Sequence, residues 1–135
     1  MPFGGTVLGA VYFTAVKLAG YSVAGAYLNR RAVTPGPAPL VFGSARTAVG
    51  VAAGVTYAFA LSTFNVSNTE LVFYAGLIPV RVLEWFGVLW FFYRARSPVA
   101  ANKTLYTVQG IGWSYFLDLP AVLAAFVIPG GFWVC

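Results

Sequence analysis

The sequence predicts an all-α integral membrane protein: one domain of four transmembrane helices, packed as an up-and-down bundle with both termini outside. Three observations predict it. Of 135 residues, 60% are hydrophobic and only 8% are charged, whereas a soluble domain carries about 25% charged residues. Four stretches reach the roughly 20 mostly apolar residues that a spanning helix needs, and they leave no length for a soluble domain. The basic residues between them fall in alternate connections.

The first span is expected over residues 5–28. Its start, Met-Pro-Phe-Gly-Gly, has no basic segment, and Lys17 interrupts the apolar run, so it is expected to be retained as a helix despite the small-residue run Ala24-Gly25-Ala26. Met1-Pro2 speaks against N-myristoylation, and Cys135 lacks the three residues that follow a prenylated cysteine. The connection 29–38 carries the breakers Pro35-Gly36-Pro37. The second span follows over 39–63, and an Asn/Ser/Thr-rich connection over 64–70 contains Asn65-Val66-Ser67, a glycosylation acceptor pattern on the expected outer side. The third span covers 71–93, the connection 94–104 contains Ser97-Pro98, and the fourth span covers 105–128. Pro129-Gly130-Gly131 ends that span, with the tail 132–135 along the outer interface. Connections this short make successive helices antiparallel neighbours.

Arg30, Arg31, Arg94, Arg96 and Lys103 all lie in the first and third connections. The second connection and the termini hold no Lys or Arg, so the positive-inside rule places 29–38 and 94–104 in the cytoplasm and both termini outside, in a cell membrane. Tyr27, Tyr93, Tyr106 and Trp133 stand at span ends, as an interfacial belt requires.

Composition also excludes. The net charge is +5, but five of the eight basic residues belong to those two connections, so no nucleic-acid partner is expected. One cysteine forbids an intrachain disulfide, and the absence of histidine removes the commonest metal ligand and the commonest general base near neutral pH. No metal and no cofactor are expected.

Lys17, Arg46, Arg81, Glu84 and Asp118 fall inside the spans, where each ionised side chain costs about 2.5 to about 3.5 kcal/mol at a helix centre. Counted from the cytoplasmic ends, Lys17 lies about 18 Å deep, Arg81 about 20 Å, Glu84 about 15 Å, Asp118 about 21 Å and Arg46 about 10 Å. Four share one slab near the midplane, and the Arg46 side chain is long enough to reach toward Glu84. Each span has one polar or small face: Thr14, Lys17 and Tyr21 on the first; Gly43, Arg46, Gly50, Gly54 and Tyr57 on the second; Leu77, Arg81, Glu84 and Trp85 on the third; Thr107, Gly110, Ser114 and Asp118 on the fourth, with Tyr115 beside it. Pro79 and Pro120 flank Arg81 and Asp118, and each frees a backbone carbonyl one turn earlier. The pairs Gly5/Gly9 and Gly50/Gly54 allow close helix approach, within the monomer or across a dimer seam.

Three cations face two anions, so with all five ionised one positive charge remains to be met by water, an anion, a lipid headgroup or a partner chain. The cluster can therefore bind or conduct a small polar or anionic solute or protons. Alternatives are a non-catalytic subunit of a larger membrane complex, whose extra charge pairs with a neighbour, and an intramembrane enzyme using Glu84 and Asp118 on a lipid-like substrate. A purely structural network that fixes helix register is also compatible. Membrane lipids and a homo-oligomer or larger complex are the expected partners. Size and helix count are similar to those of small four-helix multidrug exporters, whose essential carboxylate stands in the first helix, where this chain has Lys17. The residues assign the chain to no family.

Overall fold

The computed structural model describes residues 7–33, 36–63, 70–93 and 98–125. Among them are four long helices, α1 (Val7–Arg31), α2 (Pro39–Thr63), α3 (Glu70–Phe92) and α5 (Lys103–Ala125), one single-turn helix α4 (Pro98–Ala101), and no strand. The long helices have 23 or 25 residues. At 1.5 Å per residue that is about 35 Å, the thickness of a bilayer's hydrocarbon core plus a turn.

Three boundaries differ from the sequence reading by more than a single residue. α1 continues past residue 28 to Arg31, because Leu28 still accepts a bond from the Ala32 amide and two arginines in the last turn suit the negative end of the helix dipole. The connection 94–104 is not wholly loop: Pro98, lacking an amide hydrogen, starts α4 at the position where none is needed. α5 starts at Lys103, two residues earlier than expected. Pro79 and Pro120 both sit inside continuous helices. Gly5, Asn65-Val66-Ser67, Arg94, Arg96, Trp133 and the segment 129–135 lie outside the described residues.

Pairs across the seams run in opposite numerical order, so every neighbouring pair is antiparallel. Gly43 abuts Leu18 and Ser22 while Gly36 abuts Asn29; Tyr57 meets Gly76 while Phe42 meets Phe92; Lys17 meets Asp118 while Tyr21 meets Ser114; and Arg81 meets Asp118 while Trp85 abuts Gly110. α1 packs on α2 and α5, and α3 packs on α2 and α5, whereas the diagonal pairs make no backbone approach among the described residues. The result is a square ring of four helices.

Glycine sets the closest seam. A Cβ on Gly43 would stand 2.9 Å from the Leu18 carbonyl oxygen and 2.9 Å from the Ser22 amide nitrogen, so α2 rests directly on the α1 backbone there. Toward the end where α1 joins α2, the interior is apolar and aromatic: Tyr21, Leu28, Phe42, Trp85, Leu89 and Tyr93 are buried together, and Val99 of α4 seals that end. Asn29 fastens the same end, donating to the Pro37 carbonyl at 2.8 Å and accepting from the Gly36 amide at 3.0 Å and the Tyr93 hydroxyl at 2.8 Å. Tyr93 is thus 3% exposed, so it is part of this lock and not of an outer aromatic belt. Tyr27, at 43%, is on the outside.

The distribution of polarity is inverted relative to a water-soluble bundle. Lys17, Arg46, Arg81, Glu84 and Asp118 are all buried, while Val11, Val55, Phe59, Leu83, Phe91 and Phe116 point outward. By length and composition alone, one stretch among the described residues, Ala75–Phe92 of α3, is apolar enough to cross a membrane. The sequence reading expected four. α1, α2 and α5 reach the length, but Lys17, Arg46 and Asp118, together with Gly, Ser, Thr and Tyr, dilute their hydropathy.

Candidate functional site

The ring brings five intrahelical charges into its centre. On α3, Arg81 and Glu84 share the inward face with Leu77 and Trp85, the spacing of three and four that aligns residues on a helix. On α2 the inward stripe is Phe42, Gly43, Arg46, Thr47, Gly50 and Gly54, and on α5 it is Thr107, Ser114, Leu117 and Asp118.

Two ionic groups result. In the first, Asp118 is held between two cations: Lys17 Nζ donates to Oδ1 and Arg81 Nη2 donates to Oδ2. Lys17 also points at the Ser114 carbonyl (3.4 Å) and the Tyr21 hydroxyl (3.5 Å). In the second, Arg46 Nη2 donates to Glu84 Oε2 at 2.6 Å, both side chains being at most 7% exposed. The two carboxylates therefore serve different cations instead of forming a shared acid–base pair.

Aromatic faces line the cations. Arg46 lies between the Tyr21 ring at 4.8 Å and the Trp85 ring at 5.1 Å; Arg81 lies 4.1 Å from the Tyr115 ring centre; Lys17 lies 5.2 Å from Phe13 and 5.6 Å from Tyr21. Where water is excluded, such contacts recover part of the lost hydration, about 2 kcal/mol or more each. Ser114 Oγ is the common partner of the two rings on Arg46, accepting from Trp85 Nε1 at 2.9 Å and lying 3.1 Å from the Tyr21 hydroxyl. Trp113 Nε1 ties α5 to α1 by donating to the Gly20 carbonyl at 3.0 Å.

The ledger of charge and donors is uneven. The Arg46–Glu84 pair is neutral, and the Lys17–Asp118–Arg81 group carries one net positive charge when all five are ionised. In addition, Nε and Nη1 of Arg46 and Nε and Nη1 of Arg81 are buried with no hydrogen-bond partner. Buried polar groups are normally satisfied, and guanidinium groups only donate. What the centre lacks is therefore acceptors and negative charge.

Among supporting residues, the structure brings Tyr21, Trp85, Ser114 and Tyr115 to the cluster. It does not bring Thr14, which faces outward. The inward stripe of α1 runs through Phe13, Lys17 and Tyr21 at spacing four, and position 14 is one residue, about 100°, away from it. Pro79 is exposed and Pro120 half-buried; their contribution is through the backbone. Phe13 and Thr47 are the buried neighbours that the sequence reading missed; Phe13–Lys17–Tyr21, a lysine between two aromatics at intervals of four, was the available signal for the first. No group of three His, Cys, Asp or Glu able to hold a metal occurs among the described residues. No protein-family model, curated protein or solved structure matches this chain.

Proposed function

We propose that the chain is a membrane-embedded four-helix protein that binds a small anion at its buried cationic centre and passes it across the bilayer. The observation that carries this reading is the pair of buried arginines with unpartnered N–H groups, in a cluster of three cations and two carboxylates. A halide, nitrate or small carboxylate supplies what the centre lacks, namely negative charge and lone pairs without further donors. Low dielectric surroundings strengthen that attraction. Membrane embedding is supported by the inversion of polarity, since a surface built from valine, leucine and phenylalanine has its natural solvent in lipid chains. The positive-inside rule sets the orientation: Arg30, Arg31 and Lys103 belong to the cytoplasmic end and both termini lie outside.

The test is reconstitution of the purified chain into liposomes, followed by anion efflux and by thermal stability in a series of sodium salts. A saturable stabilisation that ranks chloride, nitrate and acetate differently at fixed ionic strength, together with flux that Arg81→Gln removes, is the expected result. Equal response to all salts and no flux above empty liposomes would sink the proposal.

A further inference from the structure

An apolar crevice of about 340 Å³ opens between α1 and α5, with Val23 and Tyr27 on one wall, Tyr106 and Trp113 on the other, and Trp85 and Gly110 at its depth. That is the size of a small ligand site, for which the usual range begins at ~300 Å³. Gly110 creates its floor: a Cβ there would run into the Trp85 ring. Two further features say what fits. The crevice opens outward, beside Val23 at 58% exposure and Tyr27 at 43%. One helical turn beyond its mouth stand Arg31, stacked 5.5 Å from the Tyr27 ring, with Arg30 next to it on α1, and Lys103 three residues before Tyr106 on α5.

We infer that this crevice binds one acyl chain of an anionic phospholipid from the cytoplasmic leaflet, with its headgroup held by Arg30, Arg31 and Lys103. An apolar slot below a cationic rim has the polarity sequence of such a lipid, chain inward and phosphate at the rim. The inference rests on the membrane embedding proposed above. It also gives Trp85 two faces: its ring floors the crevice and stacks on Arg46, and its Nε1 is fixed by Ser114. A seated chain therefore presses on the wall of the charged centre.

The experiment uses tryptophan quenching by lipids brominated on the acyl chain. The full chain carrying Trp90→Phe and Trp133→Phe keeps Trp85 and Trp113 as reporters. It is reconstituted in phosphatidylcholine vesicles containing increasing fractions of brominated phosphatidylglycerol or, separately, brominated phosphatidylcholine. Quenching is expected to saturate, with the half-point at about tenfold lower fraction for phosphatidylglycerol, since each basic residue near an anionic headgroup contributes about a fivefold factor before screening. Ala24→Phe, which fills the crevice, abolishes the saturable component. The triple change Arg30→Gln, Arg31→Gln, Lys103→Gln, outside the packed interior, brings the two half-points together. Quenching that grows in simple proportion to bulk composition, equal for both lipids, would overturn the crevice assignment while leaving embedding intact. Absence of quenching even in vesicles of pure brominated phosphatidylcholine would overturn the embedding itself, and the lipid site with it.

Discussion

Substitutions of Asp118 and Lys17 should separate sharply in stability, because they move the charge balance of the buried centre in opposite directions. Asp118 is the carboxylate that both Lys17 and Arg81 pair with, and their side chains are 2% and 1% exposed. Asp118→Asn removes the carboxylate that those two cations share, and taking the partner from a buried charge typically costs about 3 to 5 kcal/mol. Lys17→Met has the reverse effect. Asp118 keeps Arg81, Arg46 keeps Glu84, and the centre becomes two cations against two anions. An unbranched apolar chain fills the lysine's place, so the cost should stay near 1 kcal/mol, about that of the hydrogen bonds lost. The assay is unfolding of purified protein in mild detergent, followed by helical circular dichroism. Asp118→Asn should lower the midpoint by roughly 10 to 20 °C and Lys17→Met by only a few degrees. If the two variants lose equal stability, or Lys17→Met is the worse, the excess-cation account of the centre is wrong.

Other consequences follow from single contacts. Ser114→Ala removes the acceptor of Trp85 Nε1 and the partner of the Tyr21 hydroxyl, which should cost about 1 to 3 kcal/mol in the same melt and shift tryptophan emission. Gly43→Ala forces a methyl against the α1 backbone and should cost about 1 to 3 kcal/mol. Gly87→Ala, whose added carbon meets nothing within 4 Å, should instead be neutral or stabilising by up to about 1 kcal/mol through helix propensity. Asn29→Ala frees the connection between α1 and α2, so hydrogen exchange at the Gly36 amide should quicken well before the helix centres respond.

Much of the centre was readable because helical spacing and depth along a span are both arithmetic. Arg81, Glu84 and Trp85 had to share a face, and Lys17, Arg81 and Asp118 had to share a level. Arg46 is the instructive case: its Cα lies nearer the loop end, and only the length of its side chain brings the guanidinium to Glu84. What sequence could not supply was the pairing. Nothing in the spacing says that Asp118 takes two cations and Glu84 one, since that depends on which helices are diagonal in the ring. Thr14 was misplaced because a polar residue was assumed to face a polar centre, whereas Phe13 occupies the inward position. Tyr93 misled in the opposite sense, its end-of-helix position suggesting an interface when Asn29 draws it inside.

The seams of the ring are not alike. Between α1 and α5, α5 and α3, and α3 and α2 the helices are joined by ion pairs; between α1 and α2 the close approaches are Gly43 on the Leu18 and Ser22 backbone and Gly25 on Phe42. Ion pairs can be exchanged for a competing anion, whereas backbone laid on backbone has no substitute partner. The α1–α2 hairpin is thus the half held by shape, whereas α3 and α5 are joined to it, and to each other, through ion pairs that a competing anion would contest.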